Sequence, residues 1–274
     1  MKFLIQKEKN EYSLDNHILL DLIKSEKLIH EYKDWSLSQF LDEEKNILNK
    51  KSLPDLSEYI PLGDIPFTES FFSIFYNINK EMPIEIPEIL RTNDFLKRKY
   101  SIRKPNEIPT NGNYFIKDVS QLKQFSYAGD LSFFMYDGIL EEPKTKYDTS
   151  IHLKKNHLYQ VSEIVPIMSE YRVFVLSNEI YSIANYDGDV KKFPDIKLIQ
   201  KAVDIWSIQK DCPKSYSMDV AITPFGTIIL ECHILFSTGI YNTVIGSNFL
   251  YGYRDAKDYI LKFNTPIKEW SNFS

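Results

Sequence analysis

The strongest constraint on the fold is a pair of β-type segments joined by a Pro-Phe-Gly turn, YSMDVAITPFGTIILECHI, at residues 216–234. Alternating residue types on both sides of a short turn predict an antiparallel hairpin. With Phe225 at the centre of the turn, Asp219 lies directly opposite Glu231. The opposite face would then be wholly apolar, formed by the pairs Met218–Cys232, Val220–Leu230 and Ile222–Ile228.

Two opposed carboxylates, Asp219 and Glu231, repel each other unless something neutralises them. A shared cation, a shared proton or a neighbouring Arg or Lys would each suffice. Hard oxygen ligands on a rigid hairpin suit Mg²⁺, which usually binds through one or two carboxylates together with substrate phosphates. The alternative is that the face is solvated and that both carboxylates turn into water.

Glu170 and Arg172 alternate with apolar residues in SEYRVFV. This spacing predicts that their side chains lie on the same face of a strand. A guanidinium in this position could hold a carboxylate or a phosphate through two parallel hydrogen bonds. The alternative interpretation is a structural ion pair.

Lys117 ends the predicted strand NYFIKD, where a lysine can serve as a point charge for phosphates. Lys123, six residues later, is a second candidate of the same kind. For both, the alternative is an ordinary surface lysine.

Composition narrows the classes of function. The 274 residues are 43% hydrophobic and 26% charged, the balance of a globular protein, and no apolar run approaches the ~20 residues that span a bilayer. The charged N-terminal start is unlike a signal peptide and only two cysteines occur, which favours a cytoplasmic location. A net charge of −5, with lysines interleaved among acids, argues against a nucleic-acid partner. The P-loop and G-x-G-x-x-G motifs are both missing.

A change in proline content and in strand pattern along the sequence predicts two domains, residues 1–112 and 113–274. Seven of the thirteen prolines fall between residues 54 and 109, and hairpin patterns dominate after the Asn111-Gly112 turn. Strands and hairpins with interspersed helices indicate an α+β fold. Strands are predicted at residues 2–6, at 113–119 and within 162–186, where a turn is expected at Ser177-Asn178. Helices are predicted at residues 16–32, 38–48, 68–78, 195–210 and 254–264, and a further helix is predicted to begin at Ser120.

Taken in order, these segments resemble the ATP-grasp superfamily. The similarity covers roughly residues 58–242 and extends to a group of bacterial and phage-associated members, through YIPLGDIPF and the Ser237–Tyr241 segment STGIY. It implies that Lys117 contacts nucleotide phosphates and that Glu163, in the hinge-like VSEIVPI, reaches the ribose. It further implies that Arg172 contacts phosphate or substrate, that Glu170 orients substrate, and that Asp219 and Glu231 bind Mg²⁺. His233 stands where the family usually has Asn, and it is a further candidate metal ligand, although neutral His is softer than the ligands that Mg²⁺ prefers.

The resemblance implies a smaller N-terminal α/β domain preceding two α+β lobes that sandwich the nucleotide. The implied activity is an ATP- and Mg²⁺-dependent carboxylate–amine ligase that acts through an acyl phosphate on small-molecule or peptide substrates. A homodimer stays open. His233 and Ile234 replace the family's usual polar residues, and Gly129 is the sole glycine of the lid segment. These departures keep two alternatives open, a non-catalytic nucleotide-responsive interaction module and a metal-dependent hydrolase.

Overall fold

The computed structural model describes residues 1–9, 11–26, 30–78, 83–119, 126–131, 134–135, 151–240, 243 and 245–263. The helices are α1 Leu14–Ser25, α2 Ile65–Tyr76, α3 Asn93–Leu96, α4 Ile196–Ser207 and α5 Ser247–Phe263. The strands are β1 Lys2–Gln6, β2 Glu31–Trp35, β3 Ile60–Leu62, β4 Pro83–Ile84, β5 Tyr100–Arg103, β6 Asn113–Asp118, β7 Ser126–Asp130, β8 Phe134–Met135, β9 Ile151–His152, β10 Tyr159–Glu163, β11 Ser169–Leu176, β12 Glu179–Gly188, β13 Tyr216–Thr223 and β14 Gly226–Ile234.

The N-terminal part is a parallel three-stranded sheet of order β2-β1-β3 that is covered by helices. Helix α2 buries one phenylalanine-rich face against this sheet, and the C-terminal helix α5 returns to share the same core. The core residues from these two helices include Phe67, Phe71, Phe72, Phe75, Phe249, Leu250, Tyr253 and Ala256. Burial of aromatic side chains of this size is the main stabilising contribution available to so small a sheet.

Two antiparallel sheets form the rest of the described fold. One has four strands in the order β5-β10-β6-β7, and the other has five in the order β12-β11-β13-β14-β4. Helix α4, which Asp195 caps, packs its apolar face on the five-stranded sheet through Val203 and Trp206. The remaining pair, β8 and β9, is parallel. The predicted α+β class is confirmed.

Most of the predicted elements are present. The strands at 2–6 and 113–119, the three helices predicted at 68–78, 195–210 and 254–264, and the turn at Ser177-Asn178 all occur, although α2 and α5 begin earlier than predicted. The helix predicted from Ser120, with Lys123 inside it, lies outside the described residues. The division at residue 112 stays a prediction.

One predicted helix is present but too long, and another is wrong. The helix predicted at residues 16–32 is capped by Ser13, ends at Ser25, and gives way to β2, because residues 31–35 pair in parallel with β1. The segment predicted as a helix at residues 38–48 holds only a single 3₁₀ turn. There the Asp42 carboxylate accepts hydrogen bonds from two backbone amides that follow it, a local arrangement that competes with helix formation.

Among the described residues, no helix has both the length and the apolar content that crossing a bilayer requires.

Candidate functional site

The predicted hairpin forms β13 and β14, and it brings three ionisable side chains together. Asp219 lies opposite Glu231, as predicted, and His233 follows on the same face of β14. One potential ligand atom from each of the three lies within 4.8 Å of the other two. The Nε2 atom of His233 lies 2.9 Å from Glu231 Oε2 and 3.6 Å from Asp219 Oδ2.

Close to the turn, the hairpin departs from the predicted register. A β-bulge follows the Asp219–Glu231 pair, so that Val220 faces Ile229 rather than Leu230. The predicted Ile222–Ile228 pair is likewise wrong, because Ile222 faces Thr227. The extra residue, Leu230, lines a cleft instead of joining the apolar face. Bulges often re-aim side chains beside functional sites.

Arg172 neutralises one of the two carboxylates. It lies opposite Asp219 on the neighbouring strand β11, and it donates from Nε to Oδ1 over 2.8 Å and from Nη2 to Oδ2 over 2.7 Å. Its third nitrogen, Nη1, donates to the Gly239 carbonyl over 3.2 Å. The guanidinium also lies over the ring of Tyr186. The bidentate geometry is that of a strong charge-assisted pair.

Lys117 neutralises the other carboxylate from a different sheet. Its Nζ donates to Glu231 Oε1 over 2.6 Å, and this contact joins β6 of the four-stranded sheet to β14 of the five-stranded sheet. The Lys117 ammonium group, which the sequence predicted as a point charge, therefore reaches across the space between the two sheets to the candidate metal ligand Glu231.

Burial and charge pairing oppose each other in the pKa values of this cluster. Burial raises the pKa of Glu231, but His233 and Lys117 outweigh it and bring that pKa down to about 2. Burial likewise raises the pKa of Asp219, and the bonds from Arg172 and the neighbouring His233 bring it below its ordinary value. Burial lowers the pKa of His233, yet the two carboxylates leave it raised. Both carboxylates therefore stay ionised at neutral pH.

The charged cluster opens into a cleft of ≈ 350 Å³ between the two antiparallel sheets. Its lining includes Phe115, Glu163, Val165, Ile167, Glu170 and Tyr186, together with Asp219 and Glu231. The volume lies in the range of small-molecule sites, and a mostly apolar wall with a few charged groups is their usual chemistry.

Glu163 and Glu170 reach this cleft from separate strands. Glu163 ends β10, and its carboxylate accepts from the Lys99 backbone amide over 2.9 Å. Glu170 accepts a hydrogen bond from the Tyr186 hydroxyl over 2.5 Å. Burial raises the pKa of Glu170, and the bond from Tyr186 only partly offsets that rise.

Arg98 is a charged residue of the cleft that the sequence reasoning missed. Only 8% of it is exposed, and its Nη1 donates to the carbonyls of Ile229, over 3.0 Å, and Leu96. Ile229 immediately precedes the bulged Leu230. Within KRKYS, Arg98 has no periodicity or motif that separates it from surface cations, so no local signal could have found it.

Of the eight predicted site residues, the structure brings seven to this cleft or its charged cluster. They are Lys117, Glu163, Glu170, Arg172, Asp219, Glu231 and His233. The eighth, Lys123, lies outside the described residues.

Residues 95–247 match the sequence profile of the ATP-grasp domain, R2K clade family 2. The match covers more than half of the chain. The chain belongs to this ATP-grasp family. The matched segment contains every predicted site residue, and it contains Arg98 as well. The predicted ATP-grasp fold is therefore confirmed.

Solved ATP-grasp structures align along nearly the whole chain at low identity. The macrocyclase MdnC of Microcystis aeruginosa MRC, bound with its precursor peptide MdnA, is 14% identical, with a TM-score of 0.43 over 95% of this chain and 99% of that chain. D-alanine–D-alanine ligase from Bacillus anthracis is 10% identical, with a TM-score of 0.47 over 96% and 97%. A RimK domain protein from Sphaerobacter thermophilus DSM 20745 is 11% identical, with a TM-score of 0.45 over 96% and 99%. No curated protein matches the sequence.

Proposed function

We propose that this ATP-grasp protein is an ATP- and Mg²⁺-dependent carboxylate–amine ligase that forms an amide bond through an acyl phosphate. The observation that carries the proposal is the continuous chain of charges Arg172–Asp219–His233–Glu231–Lys117 at the mouth of the cleft. Phosphoryl transfer depends on positioning and on charge neutralisation, and this chain supplies fixed cations beside fixed carboxylates.

In this proposal the nucleotide occupies the cleft between the two antiparallel sheets. The apolar wall near Val165 and Ile167 would take the base, and the Glu163 carboxylate would accept hydrogen bonds from the ribose. Lys117 and Arg98 would contact phosphates, because both cations line or face the cleft. Lys123 is proposed as a further phosphate contact.

Asp219, Glu231 and His233 would hold the metal. Their ligand atoms are close enough together to share one ion, and two of the three are the oxygen donors that Mg²⁺ prefers. Arg172 and Lys117 now balance the two carboxylates. If the phosphates draw these cations toward themselves, the carboxylate oxygens become available for coordination. A bound Mg²⁺ would neutralise phosphate charge and favour attack at phosphorus.

Two bond exchanges follow from the proposed reaction. A carboxylate oxygen of the first substrate bonds to the γ-phosphorus as the bond to the bridging oxygen of ADP breaks. The amine nitrogen then bonds to the acyl carbon while phosphate leaves with the C–O electron pair, and the amine proton passes to phosphate or solvent. Arg172 would stabilise the negative charge that develops at the acyl and phosphoryl oxygens, and Glu170 would orient the substrate.

One observation favours a second candidate, a non-catalytic nucleotide-responsive module. His233 contacts Glu231 over 2.9 Å and lies 3.6 Å from Asp219, and its raised pKa favours a protonated imidazole. A protonated imidazole cannot ligate a metal, so nucleotide could bind here without turnover.

Thermal unfolding with ATP–Mg²⁺ tests the proposal. A ligand that binds only the folded state at a hundredfold excess over Kd stabilises it by about 2.7 kcal/mol. We expect a Mg²⁺-dependent rise in Tm for the wild type, a smaller rise for Glu231→Gln, and an undiminished rise for the exposed control Glu43→Gln. No rise at millimolar ATP would refute the proposal. A rise without ADP release, when amines and carboxylates are supplied, would favour the non-catalytic module.

A further inference from the structure

A second cavity, of ≈ 900 Å³, lies next to the charged cluster but outside the nucleotide cleft. Residues 235–239 form part of its wall. The rest of the wall comes mainly from N-terminal elements, namely the end of β1 with the loop that follows it, the start of α1 and the start of α2, and Tyr253 of α5 completes it. None of the eight predicted site residues lines this cavity.

The segment 237–240 connects this cavity to the charged cluster. The Gly239 carbonyl accepts a hydrogen bond from Arg172 Nη1 over 3.2 Å, and the next amide, that of Ile240, donates to Asp15 Oδ2 over 3.0 Å. Gly239 lines the cavity while it holds the guanidinium that also binds Asp219. A molecule in the cavity that touches Gly239 is therefore close to the proposed site of acyl transfer.

The charge of this cavity is strongly negative. One cationic side chain, that of Lys9, lines it together with five carboxylates, which belong to Glu8, Glu11, Asp15, Asp64 and Glu69. Three of these carboxylates accept hydrogen bonds from neutral donors. Glu8 accepts from the Leu37 amide, and Asp15 accepts from the Ile240 amide. Asp64 accepts from the Phe67 amide and from the Gln6 side chain.

Neutral donors leave the charge of a carboxylate in place, so the cavity keeps its negative potential. In the described part of the chain, no Lys or Arg forms an ion pair with Glu8, Glu11, Asp15 or Asp64. Adjacent carboxylates without a counter-ion favour a cationic ligand over a neutral or anionic one. Tyr12 and Ile65, which are partly exposed, add apolar surface that suits a methylene chain.

We propose that this cavity binds the amine substrate of the ligase, and that this amine carries a second positive charge. The inference rests on the proposed function. The carboxylates hold the charged end, and the reacting nitrogen lies near Gly239. An amine with an anionic tail is repelled by the same walls.

Three probes that share a four-carbon chain with an amine at one end isolate the role of the second charge: 1,4-diaminobutane, 1-aminobutane and 4-aminobutanoate. Each probe is titrated into the whole chain by calorimetry at 150 mM salt, because salt at this concentration screens non-specific attraction of cations to an acidic protein. We expect the diamine to bind at least tenfold more tightly than the monoamine, and 4-aminobutanoate not to bind. Equal affinities for the diamine and the monoamine would overturn the proposal.

A pair of double variants locates the binding. Glu8→Gln with Glu11→Gln removes two charges from the cavity. We expect diamine affinity to fall about tenfold, because each substitution removes one ion pair with the bound ammonium group. Glu43→Gln with Glu179→Gln removes two exposed charges elsewhere and should leave diamine affinity unchanged. An equal loss in both double variants would assign the binding to general surface charge and overturn the proposal.

Two further comparisons complete the test. Titrations with the tripeptide Gly-Lys-Lys and with spermidine compare a peptide and a polyamine as the source of the cation. Tighter binding of either probe than of 1-aminobutane supports an amine substrate with a second positive charge. An ATP–Mg²⁺ shift in Tm without diamine selectivity would overturn the cavity assignment and leave the ligase standing. Diamine selectivity without an ATP–Mg²⁺ shift would overturn the proposed function and, with it, the substrate role of the amine.

Discussion

Arg172 and Asp219 face each other on neighbouring antiparallel strands and are joined by two hydrogen bonds of 2.8 and 2.7 Å. Both residues are at least 94% buried. A buried ion pair is weak evidence for stability, because desolvation of two charges can exceed their attraction. Its position, at the mouth of a cleft and in contact with Gly239, is better explained if the guanidinium and the carboxylate also serve ligands.

A double-mutant cycle on this pair separates its structural role from its proposed one. We expect Arg172→Met or Asp219→Leu alone to lower the free energy of unfolding by about 3–5 kcal/mol, because each leaves one buried charge without its main partner. The combined variant should lose less than the sum of the two single losses. Urea unfolding of the four proteins measures this coupling. Additive losses would show that the pair does not interact in the way its geometry indicates.

Lys117 is expected to matter far more for nucleotide binding than for stability. Its side chain is 19% exposed and that of its partner Glu231 is 32% exposed, so Lys117→Gln should change the free energy of unfolding by less than about 1 kcal/mol. We expect its Kd for ATP–Mg²⁺, measured by calorimetry, to rise at least tenfold through loss of a charge-assisted phosphate contact. Lys201→Gln is the matched control, since the Lys201 side chain is 56% exposed and pairs with Asp94 outside the cleft. Equal effects of the two substitutions would contradict a specific role for Lys117.

The sequence predicted the hairpin well because its information is local. Alternation on both sides of a turn fixed the strands and the pairing of Asp219 with Glu231. The bulge at Leu230 could not be predicted in this way. There the Ile229 carbonyl accepts from Arg98, a residue 131 positions earlier in the chain. Because this contact spans 131 positions, the place of Arg98 in the cleft could not be predicted from the local sequence either.

The excess length predicted for the first helix has a related cause. In the sequence, Leu28, Ile29 and Tyr32 continue the helical spacing, yet residues 31–35 pair in parallel with β1. This pairing depends on a contact with a segment about 30 residues earlier in the chain. Helical periodicity is a local preference that tertiary pairing can override. The contact between Lys117 and Glu231, 114 residues apart, likewise needed the structure.

The turn that joins β11 and β12 offers a test of backbone conformation. Ser177 and Asn178 have φ values of 53° and 66°, the pattern of a type I′ turn, and the Asn178 amide donates to the Lys214 carbonyl over 2.8 Å. We expect Asn178→Gly to raise the free energy of unfolding by about 0.5 kcal/mol and Asn178→Val to lower it by about 1–3 kcal/mol, because a β-branched residue is strained at positive φ. Urea unfolding checks both, and a stabilising Asn178→Val would contradict the turn assignment.

Lys257 is a buried cation that no carboxylate neutralises within hydrogen-bonding distance among the described residues. Only 7% of it is exposed, and its Nζ donates to the carbonyls of Ser57 and Tyr59 over 2.6 and 2.7 Å. The rings of Phe71 and Tyr76 lie 5.6 and 5.3 Å away. Burial lowers the pKa of Lys257 to about 8, and the nearby charges of Asp258 and Glu58 only partly oppose that shift.

This depressed pKa predicts that the contribution of Lys257 to stability rises with pH. Between pH 8 and the unfolded value of 10.5, the unfolded chain binds a proton that the folded chain has released, so raising the pH favours the folded state. Relative to a Lys257→Met variant, we expect the wild type to gain about 2 kcal/mol in the free energy of unfolding between pH 7.5 and pH 9.5. The comparison removes the effects of groups that titrate in both proteins. A difference that stays constant, or that falls, would mean that the folded protein does not lower the pKa of Lys257.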